Sequence, residues 1–353
     1  MSMRASMAKG HKSMGAAVRP KPAPPSPFEA AFDVVIPWVD FSDAGYCAAM
    51  GRPAIRSTRG FTEVKYLLRS LQQQGWLEAI RTVIIVHSDF HPPPSFLRQD
   101  HPRLRFVSHG AFAPPASLPL RGLEEIAEHV HRIDGLTPWF LFAEDDGLVM
   151  SGLDVFRRFV WRRDQLAVYA AHTIVDDAAL DAHTSWERGA AEACRLLREA
   201  YGPRDRCLDL HTPHLLHTAT LQALAERWPG ATAQGRPALN RIVLHNEHLV
   251  DEGLAIRWPH TRVRVDRLWY ADEIHTNSPQ LMPPVTLRKA LSLCLHLNRA
   301  ERRAMFLNIQ GPGISAEYDD RDAKAYGVIT DGWLARVLST PSMFEPAAPR
   351  TPS

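Results

Sequence analysis

The run Phe32-Asp33-Val34-Val35-Ile36, closed by Pro37, is almost continuously apolar, so both of its faces must be covered, as in a buried parallel strand. Thr82-Val83-Ile84-Ile85-Val86-His87, Leu104-Arg105-Phe106-Val107 and Trp139-Phe140-Leu141-Phe142-Ala143 read the same way. From Glu63 to Gln74, Val64, Leu67, Leu68 and Leu71 recur at three and four residues, the stripe of an amphipathic helix, and a second helix is expected from about Arg121 to His131. Strand, helix, strand is the start of a doubly wound sheet, so the fold class is α/β. Further helices are expected over 186–200, over 218–228 before the stop Pro229-Gly230, and from Thr286 to Leu297, making the second half more helical than the first.

Composition narrows the function classes. A chain of 353 residues, 45% apolar and 23% charged, suits one large or two ordinary globular domains. The net charge of +2 gives none of the basic field that a nucleic-acid binder carries. No stretch approaches the roughly 18 apolar residues of a membrane span, and no apolar leader opens the chain, so a cytoplasmic protein is expected. Cys47, Cys194, Cys207 and Cys294 lack CxxC spacing and read as reduced thiols. Residues 1–27 are basic and Pro-rich and cannot build a core; this tail could touch an anionic membrane surface. The chain is expected to fray from Met343 onward.

Ligands of open α/β sheets bind at the carboxyl edge, and Glu144-Asp145-Asp146 follow the strand 139–143 directly. Adjacent carboxylates repel unless a cation compensates, which suits Mg²⁺ or Mn²⁺; a solvated acidic loop accounts for the same three letters. Asp40 and Asp43, flanking Ser42 after the first strand, share that edge and both readings. In His211-Thr212-Pro213-His214 two histidines flank a stiff turn, a mount for a general base or a pair of surface or capping residues. His245-Asn246-Glu247-His248 lacks the HExxH arrangement, and no zinc site is expected there. Arg59, Lys65 and Arg69 lie in or beside the first helix, where they could grip a diphosphate or simply line a solvated face. Taken alone, these residues point to a nucleotide-using α/β enzyme.

A resemblance adds to this. Asp33-Val34-Val35-Ile36-Pro37-Trp38-Val39-Asp40-Phe41-Ser42-Asp43 resembles DVVYTWVDGSD, the opening block of the Stealth family of polysaccharide and GlcNAc-1-phosphate phosphotransferases. Further blocks follow in the family's order. Residues 59–71 (RGFTEVKYLLRSL) are similar to RDNNELRYSLRSI, 129–136 (HVHRIDGL) to HLHRIPGL, and 140–146 (FLFAEDD) to FIYLNDD. His211-Thr212-Pro213, with Arg241 downstream, resembles the family's HxP and FR pair; Phe306–Gly311 and Pro341–Glu345 echo its last block, the second as KSxFE.

The resemblance implies a nucleotide-diphosphosugar transferase (GT-A-like) core with a mixed sheet and helices on both faces. It implies transfer of a sugar 1-phosphate from a UDP- or CMP-type nucleotide-sugar to a hydroxyl of a glycan or sugar acceptor. Carried over by position, Asp145, Asp146 and Glu144 hold Mg²⁺ or Mn²⁺ and the donor diphosphate, and His211 deprotonates the acceptor. Arg241 and Arg59 balance phosphoryl charge, Trp38 and Asp40 line the nucleotide or sugar pocket, and Lys65 and Arg69 lie beside it. One catalytic domain is expected over 28–345, with a nucleotide-binding half 28–160, a helical acceptor-side half 161–345, and tails 1–27 and 346–353. The chain departs from the family at Gly122 and Ala127, where FNSHAIE has Asn and Glu, at Glu144, and at Gln310-Gly311. The alternatives are a metal-dependent glycosyltransferase that releases a nucleoside diphosphate and a degenerate member that binds glycan without turnover.

Overall fold

The structure, a computed structural model, describes residues 27–40, 42–51, 63–162, 165–174, 185–209, 212–230, 238–259, 265–269, 298, 306–310 and 331–347. Arg59, His211, Gly311, the expected helix 286–297 and most of both tails lie outside the described residues. In chain order the first half holds β1 (Phe32–Pro37), α1 (Ala44–Ala49), α2 (Glu63–Gln73), β2 (Ile80–His87), β3 (Leu104–Ser108), α3 (Leu123–His129), β4 (Trp139–Phe142), β5 (Gly147–Val149) and α4 (Leu153–Val160). The rest holds β6 (Trp161–Arg162), β7 (Gln165–Ile174), α5 (Ser185–Tyr201), β8 (Cys207–Asp209), β9 (His214–His217), α6 (Thr218–Arg227), α7 (Arg241–Asp251), β10 (Ala255–Pro259), β11 (Val265–Trp269) and β12 (Phe306–Gln310).

The central sheet runs β3-β2-β1-β4-β9. Its first four strands are parallel, and β9 returns antiparallel to β4, so the expected α/β class with a mixed sheet is what the chain forms. Strand alternation divides β1 between two cores. Val34 and Ile36 pack with the α2 stripe Val64, Leu67, Leu68 and Leu71, whereas Val35 joins Ile84, Val86, Phe140 and Phe142 against Ile126 and Ala127 of α3 and Ile242 of α7. This double coverage is why these strands carry no polar alternation.

Asp33 is the exception within β1. Fully buried, its carboxylate accepts from Arg81 at 2.9 and 2.6 Å and from the Thr137 N–H at 3.0 Å, which clamps β1, β2 and the entry to β4 at the amino edge. The first letter of the motif-like block is therefore architectural.

Among the described residues the second half carries the helices α5, α6 and α7 and, beside them, two more sheets, β10-β7-β6 with β8 on β7, and β11-β12 completed by β5. The expected fraying from Met343 is corrected: the Phe344 side chain is fully buried, meets the His101 ring at 4.8 Å, and its carbonyl accepts from the Arg98 N–H at 2.7 Å. An apolar ring that leaves water completely holds the segment down.

Candidate active site at the carboxyl edge

With β2 and β3 on one side of β1 and β4 on the other, the chain reverses its strand order between β1 and β4, and the loops leaving their carboxyl ends diverge there. The β1 side of that crevice is Trp38 to Asp43. Trp38 extends the strand by one bond, its N–H donating to the Val86 carbonyl at 2.8 Å, and its ring is buried edge-on to His91 at 5.0 Å and Phe96 at 6.3 Å. Trp38 thus forms the wall of the crevice rather than an open face. Asp40 accepts from the Ser42 N–H at 2.8 Å and hydroxyl at 2.5 Å, while Asp43 caps α1 by accepting from the Tyr46 N–H at 2.7 Å.

The β4 side is the acidic turn. The Gly147 N–H donates to the Glu144 carbonyl at 3.1 Å, which folds Glu144, Asp145 and Asp146 into a tight bend. Burial, then the charges of Asp146, Glu63 and Glu144, push the Asp145 carboxyl well above the ordinary carboxylate range. Glu63, the first residue of α2, is thus a fourth carboxylate near this turn, and the sequence analysis used it only as a helix start. The signal available for it is its place in the block 59–71. Ser70 ties α2 to the strand leaving the turn: its hydroxyl oxygen accepts from the Val149 N–H at 3.0 Å and its O–H donates to the Leu67 carbonyl at 2.8 Å.

Two later segments close on the same turn. β9 starts where β4 ends, with Phe142 opposite His214, and Thr212 and Pro213, which follow His211 in the sequence, line a crevice of about 10 Å³ with Glu144, Phe306 and Leu307. β12 pairs antiparallel with β5 so that Asn308 lies opposite Gly147, the residue that follows the turn. Residues 140–146, 212–213 and β12 therefore meet although the chain separates them widely.

The donor chemistry of the turn fits a hard divalent cation: carboxylate oxygens whose burial and mutual repulsion raise the Asp145 pKa. Among the described residues no three His, Cys, Asp or Glu side chains already form a cage. Magnesium does not require one, since one or two carboxylates with water and substrate phosphates suffice.

Other expected residues lie elsewhere. Arg241 is buried at the start of α7, where its Nε donates to Glu128 Oε2 at 2.6 Å, a second nitrogen pairs with Glu128 Oε1, and further bonds reach the Leu224 carbonyl at 3.2 Å and the Trp228 carbonyl at 2.7 Å. A guanidinium so fully engaged joins α3, α6 and α7 and is not offered to a phosphoryl group. Arg69 donates to Glu345 at 2.7 and 2.6 Å and to the Leu338 carbonyl at 2.8 Å. Its expected grip on a diphosphate gives way to that pairing. Lys65 lies on the outer side of α2 with its ammonium 4.9 Å from the Tyr66 ring centre. His245 is fully buried and neutral, its Nε2 accepting from the His217 N–H at 3.0 Å. Of the altered positions, Gly122 is the N-cap of α3 with no side chain to offer, and Ala127 is packed in the apolar core.

Residues 57–167, which hold α2, the central strands β2 to β4 and the acidic turn, match the family model Stealth protein CR2, conserved region 2. Over these residues the chain is similar to the Stealth family. Among curated relatives, the exopolysaccharide phosphotransferase SCO2594 of Streptomyces coelicolor is 31% identical over 207 residues, covering 54% of this chain and 33% of the relative. The capsular polysaccharide phosphotransferase SacB of Neisseria meningitidis serogroup A is 24% identical over 206 residues, covering 56% of this chain and 37% of the relative. The chain spans about a third of the length of the curated relatives it matches. A solved galactosyltransferase, LgtC in complex with donor and acceptor sugar analogs, aligns over 90% of this chain and 98% of its own at 11% identity, but with a TM-score of 0.38 the likeness is too loose to carry an argument.

Proposed function

We propose that this chain is a Stealth-type phosphotransferase of capsule or exopolysaccharide synthesis, moving a hexose or N-acetylhexosamine 1-phosphate from a nucleotide-diphosphosugar to an acceptor sugar hydroxyl. The observation that carries the reading is the acidic turn Glu144-Asp145-Asp146, set across the β1/β4 crevice from Trp38 and Asp40 and met there by the start of β9. The curated relatives' names support the same reaction class.

In this reading the acceptor hydroxyl oxygen attacks the phosphorus that carries the sugar. A new P–O bond forms, the phosphoanhydride bond breaks, and the nucleoside monophosphate leaves with the bridging oxygen and its electron pair. The hydroxyl proton passes to the imidazole of His211, a role that rests on the family resemblance. Glu144, Asp145 and Asp146 would hold Mg²⁺ or Mn²⁺, which when bound supplies neutralisation of the charge on the leaving phosphate. Arg59 serves the same charge, a role that rests on the family resemblance, and Arg241 acts as a structural anchor between α3, α6 and α7. The proposal includes a single catalytic domain over 28–345 working in the cytoplasm, with the basic segment 1–27 free to meet an anionic membrane surface. Among the described residues no helix is long and apolar enough to cross a membrane.

Incubation with a panel of nucleotide-sugars, acceptor oligosaccharides and Mg²⁺ or Mn²⁺, with chromatography of the nucleotide product, tests the reading. Release of UMP or CMP is expected. UDP or another diphosphate would make the chain a glycosyltransferase, and no product from a folded protein would leave it a glycan binder.

A further inference from the structure

We propose that the carboxyl ends of β2 and β3 form the nucleobase subsite of the donor, with Phe90 as the stacking face and His91 and His109 as the hydrogen-bonding edge. The inference rests on the nucleotide-sugar reading above and assigns residues that reading leaves unused.

Phe90 carries the first part of the argument. It follows β2 at the carboxyl edge, and 48% of it is exposed, in a protein whose aromatic rings are otherwise mostly in the core. It does not trail into solvent on a loose loop. Its N–H donates to the Ser88 hydroxyl at 3.2 Å, the neighbouring Asp89 carboxylate accepts from the Gly110 N–H after β3 at 2.8 Å, and its carbonyl would lie 3.4 Å from a Cβ placed on Gly45 of α1. An apolar ring is therefore held facing water between the loops of β1 and β3. Such a face suits a planar heterocycle, because every base has a π-surface to stack.

The imidazoles beside it carry the second part. His87, His91 and His109 are 9%, 5% and 2% exposed, and the Nε2 atoms of His91 and His109 have no hydrogen-bond partner. The Nδ1–H of His91 donates to the Pro92 carbonyl at 3.0 Å, which leaves its Nε2 as an acceptor in the neutral ring. Burial holds His109 down to about 4 and lowers His87, so both are neutral near pH 7. Neutral rings have little to offer a phosphate, but they match the N–H and carbonyl groups of a base, and an unmade buried hydrogen bond is a position that a ligand can fill. Both Nε2 atoms lie just beneath the exposed residues Asp89, Phe90 and Pro92, and a base that stacks on Phe90 reaches them by displacing these side chains.

Spacing carries the third part. From β4 the sheet order passes through β1 to β2 and β3, two to three strand separations, or about 10–15 Å. A nucleotide laid along the edge thus puts its base over β2 and β3, its ribose beside Trp38 and Asp40, and its diphosphate at the acidic turn.

The test is calorimetric binding of UMP, CMP, AMP, GMP and ribose 5-phosphate to the wild type, Phe90→Ala, Phe90→Trp and His109→Gln, with donor and acceptor KM measured alongside. Phe90→Ala is expected to weaken the preferred nucleoside monophosphate about tenfold or more, with ribose 5-phosphate unaffected, and Phe90→Trp to retain binding. His109→Gln, checked for folding by circular dichroism, is expected to narrow the preference among the four bases. Unchanged nucleotide affinity in Phe90→Ala, equal weakening of ribose 5-phosphate, or a rise in acceptor KM alone overturns the subsite. Wild type that binds no nucleotide overturns it too. If nucleotides bind through Phe90 but no nucleotide-sugar is turned over, the subsite stands and the phosphotransferase reading falls.

Discussion

Arg69 and Glu345, 276 positions apart, meet in a bidentate pair of 2.7 and 2.6 Å, with both side chains largely withdrawn from water. The pair straps the C-terminal segment across α2, the helix whose first residue is Glu63 and whose Ser70 holds the strand leaving the acidic turn. The Glu345 charge raises the Arg69 pKa, and the Arg69 fork holds the Glu345 carboxyl low, so each keeps the other ionised. Glu345→Gln is expected to lower stability by about 1.5–3 kcal/mol, the usual worth of hydrogen bonds to charged groups. Phe344→Ala should lower it by about 3–5 kcal/mol through the cavity it leaves. Urea denaturation measures both, and a stability unchanged in the two variants would show that the segment does not hold α2.

Arg241 and Glu128 bury their charges together, at 1% and 4% exposure, and Glu128 also accepts from the Gly230 N–H at 3.1 Å. Removing one partner of a buried pair leaves the other uncompensated, so Arg241→Ala and Glu128→Ala should each cost about 3–5 kcal/mol. The double variant should cost less than the sum, because the second removal relieves a stranded charge. A folded Arg241→Ala of normal stability with no turnover would return this residue to the chemistry.

The strands β1 to β4 and the helices α2 and α3 were legible because their sequences state one burial pattern each: unbroken apolar runs for strands covered on two sides, and a three-and-four stripe for α2. The position of the acidic turn followed from the end of β4. α7 escaped because its letters mislead: Arg241, His245, Asn246 and Glu247 are all buried, with partners that only the tertiary structure supplies. β9 is four residues long and merges into α6, and β12 becomes a strand only by pairing with β5 and β11, so neither has a local pattern to read. At the site, sequence order gave Glu144 to Asp146 their edge but could not show that Arg69 and Arg241 have carboxylate partners far along the chain.

Acid should unfold the protein through its buried histidines. Burial, the leading cause in each case, holds His109, His129 and His131 at about 4 and His245 at about 3 in the fold. The unfolded chain takes up these protons near pH 6.5, so the stability that the neutral rings allow is complete above that value and lost as pH falls toward the folded pKa values. Each ring contributes a slope of up to about 1.4 kcal/mol per pH unit across that window. Urea midpoints measured from pH 8 to 5 should be flat at first and then fall by more than a single proton's slope. A midpoint level down to pH 5 would mean that these rings are not neutral and buried.

Asp145 works in the opposite sense. Its carboxyl is raised by burial and by Asp146, Glu63 and Glu144, so its share of stability is full below the unfolded carboxylate pKa and lost as pH rises through its own folded value. The fold therefore disfavours the ionised form of this carboxyl, the arrangement expected where a cation and a diphosphate supply the balance. Asp145→Asn should raise the thermal midpoint, by the equivalent of about 0.5–2 kcal/mol, and should abolish the additional stabilisation that Mg²⁺ or Mn²⁺ gives the wild type. Asp146→Asn and His211→Ala should each cut turnover by about a hundredfold or more while leaving the circular dichroism spectrum unchanged. A destabilised Asp145→Asn would show that the repulsion in the turn is already relieved within the protein, and normal turnover in both of the other variants would move the chemistry away from this edge.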